Sequence, residues 1–193
     1  TPPDCGGYTA QARVDLDVER AKAILADAGF PGGKGLRKFE VLVRNDGVQA
    51  PVMEAIQAMW SKQLGVHATL ATLEQKTWLE DQQTLNYDVS TAGWAGDFLD
   101  PVTFLNLFVT GGGNNWTGWG DPAYDQMIEE AARATTRAKR MGIFQKAEAY
   151  LLEKGPVAPL YFGARSYLIQ PTVKGWTPAL LGYHRYAQVR LEN

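Results

Sequence analysis

Between residues 17 and 93 the hydrophobic pattern switches repeatedly between a helical period and a strand period. Asp17 precedes a run in which Ala21, Ile24, Leu25 and Ala28 recur at helical spacing, and Gly29 follows. A carboxylate at the first position can accept from the free amide groups of an opening turn, so a helix is expected up to Gly29. FPGGKG is a turn. In FEVLVRN, Phe39, Val41 and Val43 alternate with Glu40, Leu42 and Arg44, the period of a strand. Pro51 suits the first turn of a second helix, with Val52, Ile56, Met59 and Trp60 as its apolar stripe and Gly65 past its end. VHATLATL predicts a second strand, a helical stretch over about 77–85 comes next, and NYDVSTAGW predicts a third strand. Strand, helix, strand, helix, strand with short links argues for parallel pairing through right-handed crossovers.

Beyond the third strand the pattern changes. Asp100-Pro101 opens a short helix carrying Phe104, Leu105, Leu107 and Phe108, and GGGNNWTGWG is a glycine-rich loop. Asp121-Pro122 opens another helix, with Tyr124, Met127 and Ile128 on one side. A longer helix over about 136–153 buries Met141, Phe144, Ala147, Tyr150 and Leu151, and Pro156 and Pro159 bracket its exit. PLYFGARSYLIQP reads as strand material with a turn at Gly163, and YHRYAQVRLEN alternates enough to be a strand after the loop GWTPALLG.

Composition narrows the function classes. Hydrophobic residues make up 45% of 193, enough for a sizeable core, and no stretch approaches a membrane span. A net charge of −2 without a basic cluster argues against nucleic acid. The single Cys5 can form no internal disulfide. The chain opens on TPPDCGGYTAQARVDLD, a run rich in Pro and Gly that reads as a linker from an upstream segment, where any targeting signal is also expected.

Catalysis lacks its parts. His67 falls within a strand, His184 near the end, and no GxSxG elbow is present. No histidine and carboxylate cluster has metal-ligand spacing, so no metal and no cofactor is expected. GGGNN has neither Walker spacing nor the GxGxxG pattern. Asp100, just before Pro101, reads as a helix cap. Asp97, in the turn WAGD, is more informative, because ligands of open parallel sheets bind outside the carboxyl ends of the strands; a turn aspartate bonding its own backbone is the competing reading. Trp94, Trp116, Trp119, Trp176 and Tyr183 fit either core packing or the wall of an aromatic pocket beside that sheet edge.

AGWAGDFLDPVTFLNLF, NNWTGWGDPAYDQMI and PVAPLYFGARSYLIQPTVKGW, preceded by DLDVERAKAILADAGFPGG, resemble the family 5 extracellular solute-binding proteins of bacterial ABC transporters, nearest to the dipeptide- and oligopeptide-binding branch. The blocks agree in order and spacing over nearly the whole chain. The resemblance implies an α/β lobe of the periplasmic-binding-protein kind, a mostly parallel sheet flanked by helices with additional C-terminal strands. It also implies a two-lobed flytrap, with residues 1–16 a linker from a preceding lobe, 17–182 the C-terminal solute-binding lobe, and 183–193 a strand returning to complete the other lobe. Such a protein is no enzyme. It binds a peptide or other small solute in a periplasmic or extracytoplasmic compartment, with or without a lipid anchor, and delivers it to ABC permease subunits in the membrane.

Residue by residue, Asp97 matches the aspartate that pairs with the free α-amino group of a peptide in oligopeptide binders. Gly93, Trp94 and Ala95 match strand-end positions whose backbone pairs with an extended ligand. Tyr183 matches a cleft-lining tyrosine. Gln75 stands where relatives often carry a ligand-facing tryptophan, and Gln82, Gln83 and Thr91 stand where some peptide binders carry basic or imidazole groups, which weighs against long or acidic peptides. The alternative implied by the same resemblance is a non-peptide solute (a sugar, a nickel complex or heme) or a sensor role.

Overall fold

The computed structural model describes residues 1–164, 166–177, 182 and 184–192. The chain divides into two compact units, one built from Val14–Gly93 and Gly113–Trp119, the other from Thr1–Arg13, Trp94–Gly112 and Gly120–Asn193.

In the first unit, α1 (Val18–Asp27) begins where its cap predicts: Asp17 Oδ1 accepts from the Arg20 N–H at 2.9 Å. β1 (Phe39–Arg44), β2 (Ala68–Leu73) and β3 (Val89–Ser90) form a parallel sheet in the order β2-β1-β3, with Phe39 opposite Ala68 and Val41 opposite Val89. α2 (Gln49–Leu64) links β1 to β2, and α3 (Gln75–Gln83) links β2 to β3. Because β1 is central, Val41, Leu42 and Val43 are buried whichever face they take. Val41 and Val43 pack with Met53 of α2 and Ala68, ringed by Phe39, Ile56 and Trp60. The buried stripe of α2 therefore includes Met53, while Met59, expected inside, is 47% exposed. Gly65 ends α2 at φ +67, where an added Cβ would lie 2.3 Å from the Gly32 carbonyl oxygen, so both helix stop and chain packing require glycine. α1 buries none of its residues, and Ile24 is 58% exposed, so its apolar stripe lies on the surface. β3 is shorter than its sequence pattern: Thr91 N–H donates to the Leu42 carbonyl at 2.9 Å, and the chain then leaves the sheet.

The second unit is helical at its centre. α4 (Val102–Leu105) is a single turn. α5 (Pro122–Arg133) is capped by Asp121 and buries Tyr124, Ile128 and Ala131, spaced four and three residues apart. α6 (Arg137–Lys154) buries Ile143, Phe144, Ala147, Glu148 and Leu151. Met141 and Tyr150 lie at the margin of that face, half-buried. The opening run, expected as a linker, is packed here in its first part. Tyr8 is 2% exposed, its ring edge-on to Phe144 with centroids 6.4 Å apart, and its hydroxyl donates to Glu148 Oε2 at 2.8 Å. Burial, then the neighbouring Glu148 carboxylate, pushes the Tyr8 phenol well above its ordinary pKa.

The run 159–171, expected as strand material, forms no ladder among its described residues. Leu160, Phe162 and Leu168 are exposed, the last completely. A strand is held by bonds to a neighbour, and no neighbouring strand is present among the described residues. β4 (Val173–Lys174) and β5 (Arg190–Leu191) do pair, antiparallel, as the expected additional C-terminal strands. No helix among the described residues is long and apolar enough to cross a membrane.

Candidate functional site

The turn WAGD enters the second unit at Trp94. Gly96 is buried against α4, and a Cβ there would meet Thr103 Cγ2 at 2.9 Å and the Phe104 ring at 3.0 Å. This close seat fixes the next residue. Asp97 N–H donates to Thr103 Oγ1 at 3.0 Å, while the Asp97 side chain is exposed and its carboxylate has no partner among the described residues. A turn aspartate of the ordinary kind would spend its oxygens on nearby amides; Asp97 does not. Asp100 behaves in the opposite way. Its Oδ1 accepts from Val102 N–H at 3.0 Å and Arg140 holds it bidentately, with Nη2–Oδ1 at 2.8 Å. Burial pushes the Asp100 carboxyl up, but Arg140 and the Val102 amide outweigh it and hold the group below the usual carboxylate range. Asp100 is thus a capping and bracing residue, leaving Asp97 as the available carboxylate of the pair.

The backbone before Asp97 is equally available. Ala92, Gly93, Trp94, Ala95 and Gly96 make no backbone hydrogen bond among the described residues. Ala92 and Gly93 end the first unit and Trp94 to Asp97 open the second. Gly93 and Ala95 are exposed, and an added Cβ at Gly93 would meet nothing within 4 Å. Main-chain donors and acceptors left open are what strand addition uses.

The positions marked by departures fall differently. Gln82 is 2% exposed and donates from Nε2 to Ser90 Oγ at 2.8 Å and to the Thr91 carbonyl at 2.9 Å. Its amide is turned inward, so it is not a ligand-facing group in this unit. Thr91 Oγ1 donates to the Leu42 carbonyl at 3.3 Å, and Gln75 and Gln83 are exposed. Only the burial of Gln82 was hidden from the sequence, because a polar residue on a short helix reads as surface.

The described aromatic residues fall in both units. Trp116 and Trp119 belong to the glycine-rich loop of the first unit. That loop is clasped by its own groups: Asn115 Oδ1 accepts from Thr117 Oγ1 at 2.7 Å, Asn115 Nδ2 donates to the Trp119 carbonyl at 2.9 Å, and the Tyr87 hydroxyl donates to the Trp116 carbonyl. In the second unit, Trp176 stacks on His184 with centroids 4.0 Å apart and touches Tyr167 and Tyr186. Among the described residues Trp94 makes no ring contact with that stack. Tyr183 lies outside the described residues.

Other candidates are weaker. A groove of about 410 Å³ opens in the first unit beside Glu40, Asp81 and Asp88. Its carboxylates are partly committed, Asp88 to Arg37 and Asp81 to Asn86 Nδ2. Ser61 Oγ lies 3.3 Å from His67 Nδ1, but no carboxylate orients that imidazole among the described residues. No group of three or more metal-ligating side chains converges among the described residues.

Comparison with known proteins fits this geometry. The family model of the bacterial extracellular solute-binding proteins, family 5 (middle), matches residues 1–116. The oligopeptide-binding protein OppA of Bacillus subtilis (strain 168) is 33% identical over 166 residues, 83% of this chain and 30% of its own length. A crystal structure of a periplasmic oligopeptide-binding protein from Borrelia burgdorferi superposes with a TM-score of 0.88 at 30% identity, covering 100% of this chain and 39% of that one. The Escherichia coli murein tripeptide binding protein MppA gives a TM-score of 0.84 at 30% identity, covering 99% of this chain and 39% of that one. The chain thus spans about a third of the length of these relatives, which are named as binding proteins. By the family match and these superpositions, the chain belongs to the bacterial extracellular solute-binding proteins of family 5.

Proposed function

We propose that this chain is the C-terminal part of a peptide-binding component of an ABC importer, and that it recognises the free amino terminus of a short peptide. The observation that carries the reading is the pairing of an uncommitted carboxylate, Asp97, with the uncommitted backbone of Trp94 to Gly96 directly before it in the same unit. A carboxylate that follows a stretch of open backbone offers an ammonium partner where an extended ligand would begin, and that backbone offers main-chain bonds to the rest of the ligand. Tyr183 is assigned to the same cleft on resemblance.

The relatives' names support a peptide as ligand and an importer as context. An extracytoplasmic location and delivery to a membrane permease belong to the same reading. The exposed side chains of Leu160, Phe162, Leu168 and Ile169 support a second lobe as the structural partner, since they suit a sheet supplied from elsewhere. Enclosure between two lobes removes water from the ligand and strengthens the charge pair. In the two-lobed protein, Asp97→Ala is expected to weaken binding of trialanine by about 2–5 kcal/mol, the scale for truncating one partner of a desolvated charge pair. Calorimetry that finds the same dissociation constant for variant and wild type refutes the anchor.

A further inference from the structure

Gln82 is a buried polar group that the proposed function leaves unused. The end of β3 is thinly supported. Only Val89 and Ser90 are paired with β1, and Thr91 N–H to the Leu42 carbonyl is the last rung before the run offered to a ligand. Two paired residues hold a strand end weakly, because each further rung would have restrained the next peptide unit. The Thr91 carbonyl, which a longer sheet would pair with a neighbouring strand, instead accepts from Gln82 Nε2 at 2.9 Å, and the same nitrogen donates to Ser90 Oγ at 2.8 Å. The amide orientation is set by these partners, since a flipped amide would place Oε1 against the Thr91 carbonyl oxygen. In this orientation Gln82 Oε1 is buried with no partner. A side chain chosen for packing alone would carry no such unsatisfied acceptor.

We infer that Gln82 is a positioning residue for ligand binding: its side-chain amide replaces the missing rung at the end of β3 and holds Ser90–Thr91 so that the next stretch of backbone is presented extended. Gln82 does not touch the ligand. It acts through Thr91, and its role rests on the reading that peptide pairs with the backbone after Thr91.

The test measures trialanine binding by calorimetry in the two-lobed protein. Gln82→Met, similar in length but without donors, is expected to weaken binding at least tenfold at pH 7.5 while the protein stays folded. Gln82→Glu supplies a control that a merely structural role would not move. At pH 7.5 its carboxylate faces the Thr91 carbonyl with no proton to donate, and binding is lost. Burial raises a carboxyl pKa, so near pH 5.5 the neutral acid again offers an O–H, and affinity is expected to recover at least threefold, against a flat wild-type profile. If Gln82→Met does not fold, Gln82→Asn, one methylene too short to reach both acceptors, is read by the same titration. Wild-type affinity in the donor-lacking variant, with Asp97→Ala still weakened, overturns the clasp and leaves the peptide reading standing. Unchanged binding in both variants overturns the two together.

Discussion

Replacing Gly96 with alanine tests whether the WAGD turn is as closely seated as its geometry states. The new Cβ would lie 2.9 Å from Thr103 Cγ2 and 3.0 and 3.1 Å from two carbons of the Phe104 ring. Carbon atoms at optimal separation stand about 3.5–4.0 Å apart, so something must shift by several tenths of an ångström. Rotating Thr103 would move its methyl away but would also withdraw Oγ1 from the Asp97 amide, at a cost of about 0.5–1.5 kcal/mol for the lost hydrogen bond. Displacing Phe104 instead is ordinary overpacking, about 1–3 kcal/mol. The two routes span a cost of about 0.5–3 kcal/mol, which for a chain of this size lowers the melting temperature by about 1–12 °C. The assay is urea denaturation read through amide NMR signals from α5 and α6, because two compact units need not unfold together. Gly93→Ala is the control, since nothing lies within 4 Å of its added Cβ. Equal stability of Gly96→Ala and Gly93→Ala, with Asp97 N–H exchange unchanged, refutes the close seat.

Three further outcomes are expected. Phe144→Ala, which removes a fully buried ring from between Tyr8 and α6, should cost about 3–5 kcal/mol and release residues 1–13 to faster hydrogen exchange; a cost under about 1 kcal/mol contradicts that packing. Asp100 has a folded pKa below its unfolded value, so its contribution is present above about pH 4 and is lost as pH falls through the folded value; the stability gap between wild type and Asp100→Asn, measured in urea, should narrow as the pH is taken below about 4, and a gap that stays constant there contradicts the bracing role. On the proposed two-lobed reading, this chain by itself should bind trialanine far more weakly than a protein that carries both lobes; equal affinity in calorimetry contradicts that reading.

The element order of the first unit was legible because its signals are local: Asp17, Pro51 and Gly65 mark helix ends, and the switch between periods marks β1 and β2. The same holds for Asp121-Pro122 and α5. The hidden features depend on partners distant in sequence. NYDVSTAGW has the composition of a strand throughout, yet only Val89 and Ser90 pair, because pairing requires a neighbour that composition does not report. The run at 159–171 fails to form a ladder for the same reason. Met53 and Met59 are alike in chemistry, and only the packing of α2 on β1 decides between them. The proposal for Asp97 starts from its place after the third strand, and the capping role of Asp100 was legible from Pro101. The inward turn of Gln82 was not, since one buried amide on a polar helix leaves no periodic trace.

The most direct test of the account is a double-mutant cycle across the charge pair, titrating trialanine and N-acetyl-trialanine into the two-lobed protein and into its Asp97→Ala variant. The account predicts a coupling of at least about 1.5 kcal/mol, with acetylation costing affinity in the wild type and little further in the variant. Additive losses, with coupling near zero, would contradict recognition of the peptide amine by Asp97.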